Sequence, residues 1–401
     1  MNQLEFECEV LTPMFLGGAE TRVRPELRSP SFRGALRYWY RAILGGSSLL
    51  AAGSDEYQLK SLKDYEARVF GAQEKGSAVA VTIRALVQPK IGAFQKDRAI
   101  RMPDGSFKPT GKDYLLWSMA ASGRPETPRY LQNREYIEPG GRFTIALRTW
   151  RNDNVTGLKK AAAAVWLLAN VGAVGARANR GAGSFQAFLK SKADDLPAFK
   201  LCQSVGELCS HLSGGIRQCL SLVSDGSAVW RAFDGLPEFD VISPTTTEIW
   251  AVSTPPDGWA SFTAALNGIG EKLRDYRSHR SPVGRADHDA VLDWLEGKVN
   301  TPQIKRSAFG LPIPFRYSEG GPGDVIVPEM RDRRASPLRI RITRLATGKY
   351  VGVLTLFKSH FLEEGKELRL QTRKWKATPP TNYKVIEDFI QTFEVKRRVE
   401  L

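Results

Sequence analysis

At 401 residues and 44.5 kDa, the chain is too long for one small module and long enough to bury sizeable cores without disulfide staples. Its 42% hydrophobic and 25% charged residues exclude the disordered, collagenous and coiled-coil classes. Fifty-eight Lys+Arg against 43 Asp+Glu leave +15 and a pI near 9.7, so an anionic partner is expected, either nucleic acid or an acidic membrane surface.

Residues 1–5 carry no basic segment followed by an apolar run, so no signal peptide is read there. Residues 4–10 alternate apolar and acidic, the period of a half-buried strand. Thr12-Pro13 ends it and Gly17-Gly18 gives a loop. Residues 29–44 read as a helix with Ser29 as N-cap and Pro30 in its first turn, stopped by Gly45-Gly46. Residues 79–87 read as a second strand, and 88–112 as a long basic loop. Residues 136–137 and 143–150 read as two strands joined in a hairpin at Pro139-Gly140-Gly141. An Ala-rich helix over 158–171 follows; the weakly polar run at 161–176 is too short to span a membrane. A loop dense in glycine and arginine and a late strand complete the order of a ferredoxin-like sandwich.

Residues 191–235 read as a helical connecting segment. Beyond it come a strand over 240–252, a helix over 259–276 and a short helix over 290–295. Residues 338–342 place arginines on one strand face, a turn at Thr347-Gly348-Lys349 leads into 350–357, and 382–393 read as a closing helix. The expected architecture is α+β: an amino-terminal ferredoxin-like domain over 1–190 and a second over 236–401, with helices on one face of each antiparallel sheet.

The sharpest chemical signal lies in the first helix. Phe32, Ala35, Leu36, Trp39 and Ile43 form one stripe, while Arg33, Arg37 and Arg41 stack at i, i+4, i+8 on another. No acid in that helix pairs them, and like charges at this spacing repel by roughly a few tenths of a kcal/mol per pair. A phosphate chain across the column removes that repulsion; the alternative is a solvated basic face. The second signal is the loop from Val174 to Phe185. It lacks the Lys-Ser/Thr pair of a Walker A loop, and Gln186 sits where a complete GxGxxG has its third glycine. Gly181 and Gly183 allow close backbone approach to phosphate, and Arg177 and Arg180 add charge. A tight turn between helix and strand is the plainer alternative. Lys90, Lys96 and Arg98 are candidates in the basic loop. Phe94, Phe107 and Trp375, each beside lysine, could stack on unpaired bases or simply pack.

Other signals argue against enzymatic or metal chemistry. Cys202, Cys209, His211 and Cys219 lack the close cysteine pairs of structural zinc and repeat as a helical seam. Four cysteines in this length do not make a disulfide scaffold. Asn154-Val155-Thr156 is a glycosylation sequon without meaning in the cytoplasmic chain expected here. His279 and His288, near Arg280 and Arg285, are the only clustered candidates for metal-free RNA cleavage. No acidic cluster suggests a two-metal site.

Several segments together resemble a known family. Thr12-Pro13-Met14-Phe15-Leu16-Gly17-Gly18, Pro25-Glu26-Leu27-Arg28 and the run from Pro30 to Arg41 closely resemble the opening signature of the RAMP proteins of type III-B CRISPR systems. The match is most specific to the family of first subunits of the Cmr effector complex. Residues 175–185 look like the RAMP glycine-rich loop, and 305–312 and 336–338 are similar to the family's carboxy-terminal motifs. Tyr38 and Tyr40 flank Trp39 where tryptophan or phenylalanine is more usual; tyrosine also stacks on bases. The resemblance implies two ferredoxin-like (RRM-type) domains and a non-catalytic RNA-binding role, with no cofactor or metal. Implied partners are the guide RNA at its 3′ region, single-stranded target RNA, and other Cmr subunits including a neighbouring RAMP protein, in the cytoplasm and away from membranes. A RAMP-type endoribonuclease and a stand-alone ribosomal or tRNA-bound scaffold remain the alternatives.

Overall fold

The computed structural model describes residues 2–401 except 51–54, 104, 151–154, 191–192, 228, 279, 316–323, 330–332 and 372–375. The amino-terminal alternation becomes β1 (Gln3–Val10), with Leu4, Phe6, Cys8 and Val10 buried and the intervening glutamates half-buried. Helix α1 (Ser29–Gly45) follows, with Pro30 in its first turn. Its N-cap is Arg28, not Ser29, and no side chain caps it. The Ser29 hydroxyl instead accepts the Ile83 N–H at 3.2 Å, tying the helix to the neighbouring strand.

Helix α2 (Asp55–Phe70) has too weak an apolar periodicity to be read from sequence. Next come β2 (Ala80–Ala85), β3 (Ile91–Ala93), β4 (Ile100–Arg101), β5 (Phe107–Lys108) and α3 (Gly111–Leu116). The expected long loop is therefore organised: β4 pairs with β5, and Thr110 caps α3 by accepting the Asp113 N–H. Strands β6 (Glu135–Ile137) and β7 (Arg142–Arg148) are not a hairpin. Both edges of β7 are taken by β1 and β2, so β6 pairs with β3 instead. The Pro139–Gly141 turn passes the chain between two sheets, and the Gly140 N–H donates to Val10 O at 2.8 Å. Helix α4 (Val155–Asn170) and β8 (Phe185–Leu189) close the unit, whose sheet runs β2-β7-β1-β8 with antiparallel pairings throughout.

Helix α5 (Val205–Val223) is capped by Ser204, which accepts the Glu207 N–H, while Glu207 reaches back to accept the Gln203 N–H at 2.7 Å. It packs on α4 and reaches the second sheet. That half contains β9 (Thr247–Ser253), α6 (Phe262–Tyr276), α7 (Pro282–Leu295), β10 (Ile313–Phe315), β11 (Asp324–Pro328), β12 (Leu338–Arg344), β13 (Tyr350–Phe357), β14 (Leu368–Leu370), β15 (Lys376–Ala377), α8 (Lys384–Gln391) and β16 (Val395–Arg398). Residues 240–246 are not strand, because the Ser243, Thr246 and Thr247 hydroxyls fold that segment on itself. Helix α7 starts eight residues before the expected 290, where Ser281 caps it and Pro282 takes the first turn. The sheet runs β12-β13-β9-β16. Numbered by appearance, both main sheets run second-third-first-fourth, so the chain holds two ferredoxin-like units. No helix among the described residues is long and apolar enough to cross a membrane.

The glycine-rich loop fastens the two units. Gly181 N–H donates to Ile340 O at 2.9 Å, and Ile340 N–H donates to Asn179 O at 3.2 Å. The Arg341 guanidinium, on a residue only 2% exposed, donates to Gly172 O and Phe185 O, each at 2.7 Å. Arg344 clamps Glu9 with both terminal nitrogens, at 2.9 and 2.8 Å. A second junction joins α3 to α6, where a Cβ on Gly111 would sit 2.0 Å from Asn267 O, and one on Gly270 would sit 2.0 Å from Gly111 O.

Gly183 has φ +67, and a Cβ there would stand 1.8 Å from Val174 O. Gly183→Ala should therefore cost about 3 kcal/mol or more in urea unfolding. Gly140, at φ +91 with open space around it, serves as control, and Gly140→Ala should cost about 1 kcal/mol. Equal losses in the two variants would mean that the close approach at Gly183 is relaxed at no cost.

Candidate nucleic-acid interface

Helix α1 turns its arginines toward a cleft of about 1230 Å³. Its walls come from α1, α2, the turn after α2, and, in the second half, residues 238–240, 328–329, 333–334, 359–363 and Lys366. No acid within α1 pairs the arginine column, as read from sequence, but a neighbouring helix supplies one. Glu66 of α2, nearly fully buried, pairs with Arg37 Nε and, at 2.7 Å, with Arg41 Nη1. One carboxylate therefore holds two guanidiniums side by side, and their repulsion is only half cancelled. Arg33 is exposed and has no ion pair among the described residues. Eight Lys or Arg line the cleft against five carboxylates. Lys63, Lys75, Arg333, Arg334 and Lys366 belong to that wall and were not singled out from sequence; only the Arg333-Arg334 pair offered a local signal.

The loop after α4 lies at the same seam. Asn179 Oδ1 accepts from Arg339 Nη1 at 2.7 Å, and Arg339 Nη2 reaches Asp240 at 3.2 Å. Asp240 in turn accepts the Tyr38 hydroxyl of α1 at 2.6 Å, and the Arg339 guanidinium lies 4.2 Å from the Tyr38 ring centroid. The amides of Gly181 and Gly183 are not available to a phosphate. They donate to Ile340 O and Pro13 O, because the positive φ of both glycines folds the loop onto β12. Arg177 donates through Nε to Ser118 Oγ at 2.9 Å, and Arg180 through Nη2 to Phe309 O at 3.0 Å. Arg180 is half-buried, yet its Nη1 is sealed without a partner. Burial, reinforced by Arg277, pulls its guanidinium down to about 9.

Other candidates separate from this seam. Lys90, Lys96 and Arg98 are exposed, but none lines the cleft. Trp39 and Tyr40 are buried in the core, so they do not present faces for stacking. Phe94 is buried under Lys112, whereas Phe107 is 68% exposed. Trp375, His279 and the sequon's Asn154 lie outside the described residues. His288 is half-buried beside Asp289, and Arg280 and Arg285 are exposed.

No group of three metal-ligating side chains occurs among the described residues. Cys202 precedes α5, and Cys209 and Cys219 lie along it. Burial raises all three thiols, Cys202 to about 11. His211 packs its ring 5.3 Å from Trp166, and burial, with Lys200 nearby, lowers it to about 4.

Comparison with known proteins bears out the family resemblance. Residues 7–186 match the RAMP superfamily model. The chain is 33% identical over 182 residues to the CRISPR system Cmr subunit Cmr1-1 of Pyrococcus furiosus, covering 45% of this chain and 46% of that one. It is 28% identical over 195 residues to Cmr1-2 of the same organism, covering 46% of this chain and 95% of the relative. The alignment thus spans less than half of the first relative's length. Fold similarity extends further. The crystal structure of Cmr1 from Pyrococcus furiosus in its apo form superposes with TM-score 0.58 at 20% identity, covering 100% of this chain and 99% of that one. A chain in the cryo-EM structure of type III-B Cmr-beta bound to cognate target RNA gives TM-score 0.51 at 12% identity, covering 97% and 98%.

The His211 environment makes a pH prediction. Its side chain binds a proton below about pH 6.5 when unfolded and only near pH 4 when folded. The unfolded state therefore holds more protons across that window, and stability falls as pH falls through it. Lys200 and Glu207 face it and stay charged over most of the range. His211→Gln should flatten the decline in urea midpoint between pH 6.5 and 4. A decline identical to that of the parent protein would assign it to other groups.

Proposed function

We propose that this chain, which carries a RAMP superfamily domain over residues 7–186, is a non-catalytic RNA-binding subunit of a type III-B CRISPR ribonucleoprotein. In this reading it holds the 3′ region of a guide RNA, helps engage single-stranded target RNA, and docks beside another RAMP subunit. The names of its relatives place them in Cmr complexes, and a chain of similar fold sits in such a complex bound to target RNA. Residues 1–190 and 236–401 would be its two domains, with 191–235 connecting them.

The carrying observation is the cleft. Arg33, Arg37 and Arg41 face it with a single buried carboxylate between them, and Arg333, Arg334 and Lys366 add charge from the opposite half. Arginine and lysine contacts to phosphate give affinity without reading bases, which suits a protein that must hold any guide while base pairing supplies the sequence choice. Glu66 has a definite part in this. It keeps two guanidiniums aligned in the absence of RNA, so that less side-chain entropy is lost on binding. Arg177 sits at the seam and extends the basic surface, whereas Arg180, expected from sequence to do the same, is sealed there against Phe309 O; Gly181 and Gly183 contribute by shaping the loop that carries them. Lys90, Lys96 and Arg98 would form a separate, peripheral contact.

Arg33→Ala and Arg333→Ala each remove a cation that has no carboxylate partner among the described residues. Each should weaken binding of single-stranded RNA and lower the salt slope by roughly 0.7 per lost phosphate contact. Deleting Arg37 and Arg41 alone would strand Glu66 at a cost of about 3 kcal/mol. The column is therefore tested as Arg37→Ala, Arg41→Ala, Glu66→Gln together. Folded variants with unchanged affinity and slope would reject the cleft.

The isolated protein should also leave labelled guide and target RNA intact on a denaturing gel, with or without Mg²⁺. A product that disappears in His288→Ala would favour the endoribonuclease reading.

A further inference from the structure

One aromatic side chain stands out against its surroundings. Trp117 follows α3 directly and is 62% exposed, while Leu115, Leu116, Met119 and Ala120 on either side are buried. Leaving such a ring exposed forgoes the few kcal/mol that burying it would yield. The turn that holds it is well anchored. Arg22 donates to Met119 O and Ala120 O at 3.2 and 3.0 Å, and its Nε donates to Gln132 O at 2.6 Å.

The ring also has a fixed cationic neighbour. The Arg177 guanidinium lies over it, 5.3 Å from the centroid, and is held there by the bond from its Nε to Ser118 Oγ. Arg177 takes a left-handed backbone conformation, φ +61, to reach this place, a strained choice for a residue with a side chain. No carboxylate pairs with Arg22, Arg177 or Arg333 among the described residues. Burial lowers the Arg177 guanidinium, and the next cause is another cation, Arg333. Arg333 is exposed and lines the cleft faced by Arg33, Arg37 and Arg41. Arg333 thus adds its charge both to the cleft of the arginine column and to Arg177, and this basic track ends at the exposed Trp117 ring, which Arg177 covers on one side.

We propose that Trp117 is the stacking platform for one unpaired base of an RNA whose phosphates follow this track, with Arg177 and Arg333 holding the phosphate next to that base. The inference rests on the RNA-binding reading above and adds to it a requirement for single-stranded RNA at a defined end of the cleft. A nucleotide matches both features of the place, since it offers a π-face to the ring and an anion to the guanidiniums. A protein partner would have to cover a ring flanked by positive charge that has no carboxylate partner among the described residues, which fits less well.

The test uses the full chain with Trp117→Ala and Trp117→Phe. Affinities are measured for a labelled single-stranded 20-mer of mixed sequence and for the blunt duplex of the same sequence, at several salt concentrations. Trp117→Ala should bind the single strand about tenfold more weakly with an unchanged salt slope, as expected for a lost stacking contact. Trp117→Phe should recover most of that loss, and duplex affinity should not change. The platform is overturned if Trp117→Ala binds the single strand like the parent protein, or if single strand and duplex weaken equally. If Trp117→Ala leaves RNA affinity intact but loses association with Cmr subunits, the ring serves a protein contact and the proposal also fails. Failure of the parent chain to bind any RNA would overturn the RNA-binding reading itself, a result distinguishable from all of these.

Discussion

A buried guanidinium ties the two halves of this protein together at the centre of their seam. Arg341 lies on an inner face of the second sheet, and its terminal nitrogens cap two main-chain carbonyls of the first half, Gly172 O and Phe185 O. No carboxylate pairs with it among the described residues; burial pulls it down to about 9. Its charge is solvated by peptide dipoles alone, an arrangement that holds only while the seam stays closed. The glycine-rich loop lies on the same strand, so the cleft exists in its present shape because Arg341 and that loop fix the angle between the sheets. The basic surface follows from this docking, since Arg333 and Lys366 reach the arginines of α1 only across it.

Much of the fold was legible where local periodicity and burial agree. β1, α1 and β12 have one apolar face each, and the apolar residues read from sequence on those faces are largely the buried ones, while α4 and β13 are buried nearly all round. The failures have physical causes. The hairpin expected between β6 and β7 was ruled out by edges of β7 already occupied by strands distant in sequence, which no local turn signal reveals. Ser29 looked like a cap, but its hydroxyl found a better donor in Ile83 across the sheet. Residues 240–246 carry strand-like composition, yet their hydroxyls satisfy the backbone locally. The order of the second sheet was obscured by the long segment between α6 and β12, which helps to place its first two strands 85 residues apart at their nearest ends.

The site was legible in part and for a different reason. Charge at i, i+4, i+8 announces a column whatever the tertiary structure, so Arg33, Arg37 and Arg41 could be named from sequence. Their electrostatic state could not, because it depends on Glu66, from a helix with weak periodicity. The loop glycines show the opposite error. Their positive φ values serve contact with another strand instead of contact with a ligand, and composition cannot distinguish the two uses. Trp117 carried no sequence signal at all. Its interest comes from exposure and from Arg177, which approaches from 60 residues away.

The crossing of α3 and α6 has a consequence for how such a chain diversifies. Gly111 and Gly270 meet backbone to backbone, one in each half, and neither position tolerates a side chain unless the other helix retreats. Recombination that exchanged one half with a distant homologue would have to import a matching glycine with it. Drift in one half is thus constrained by the steric demands of the other.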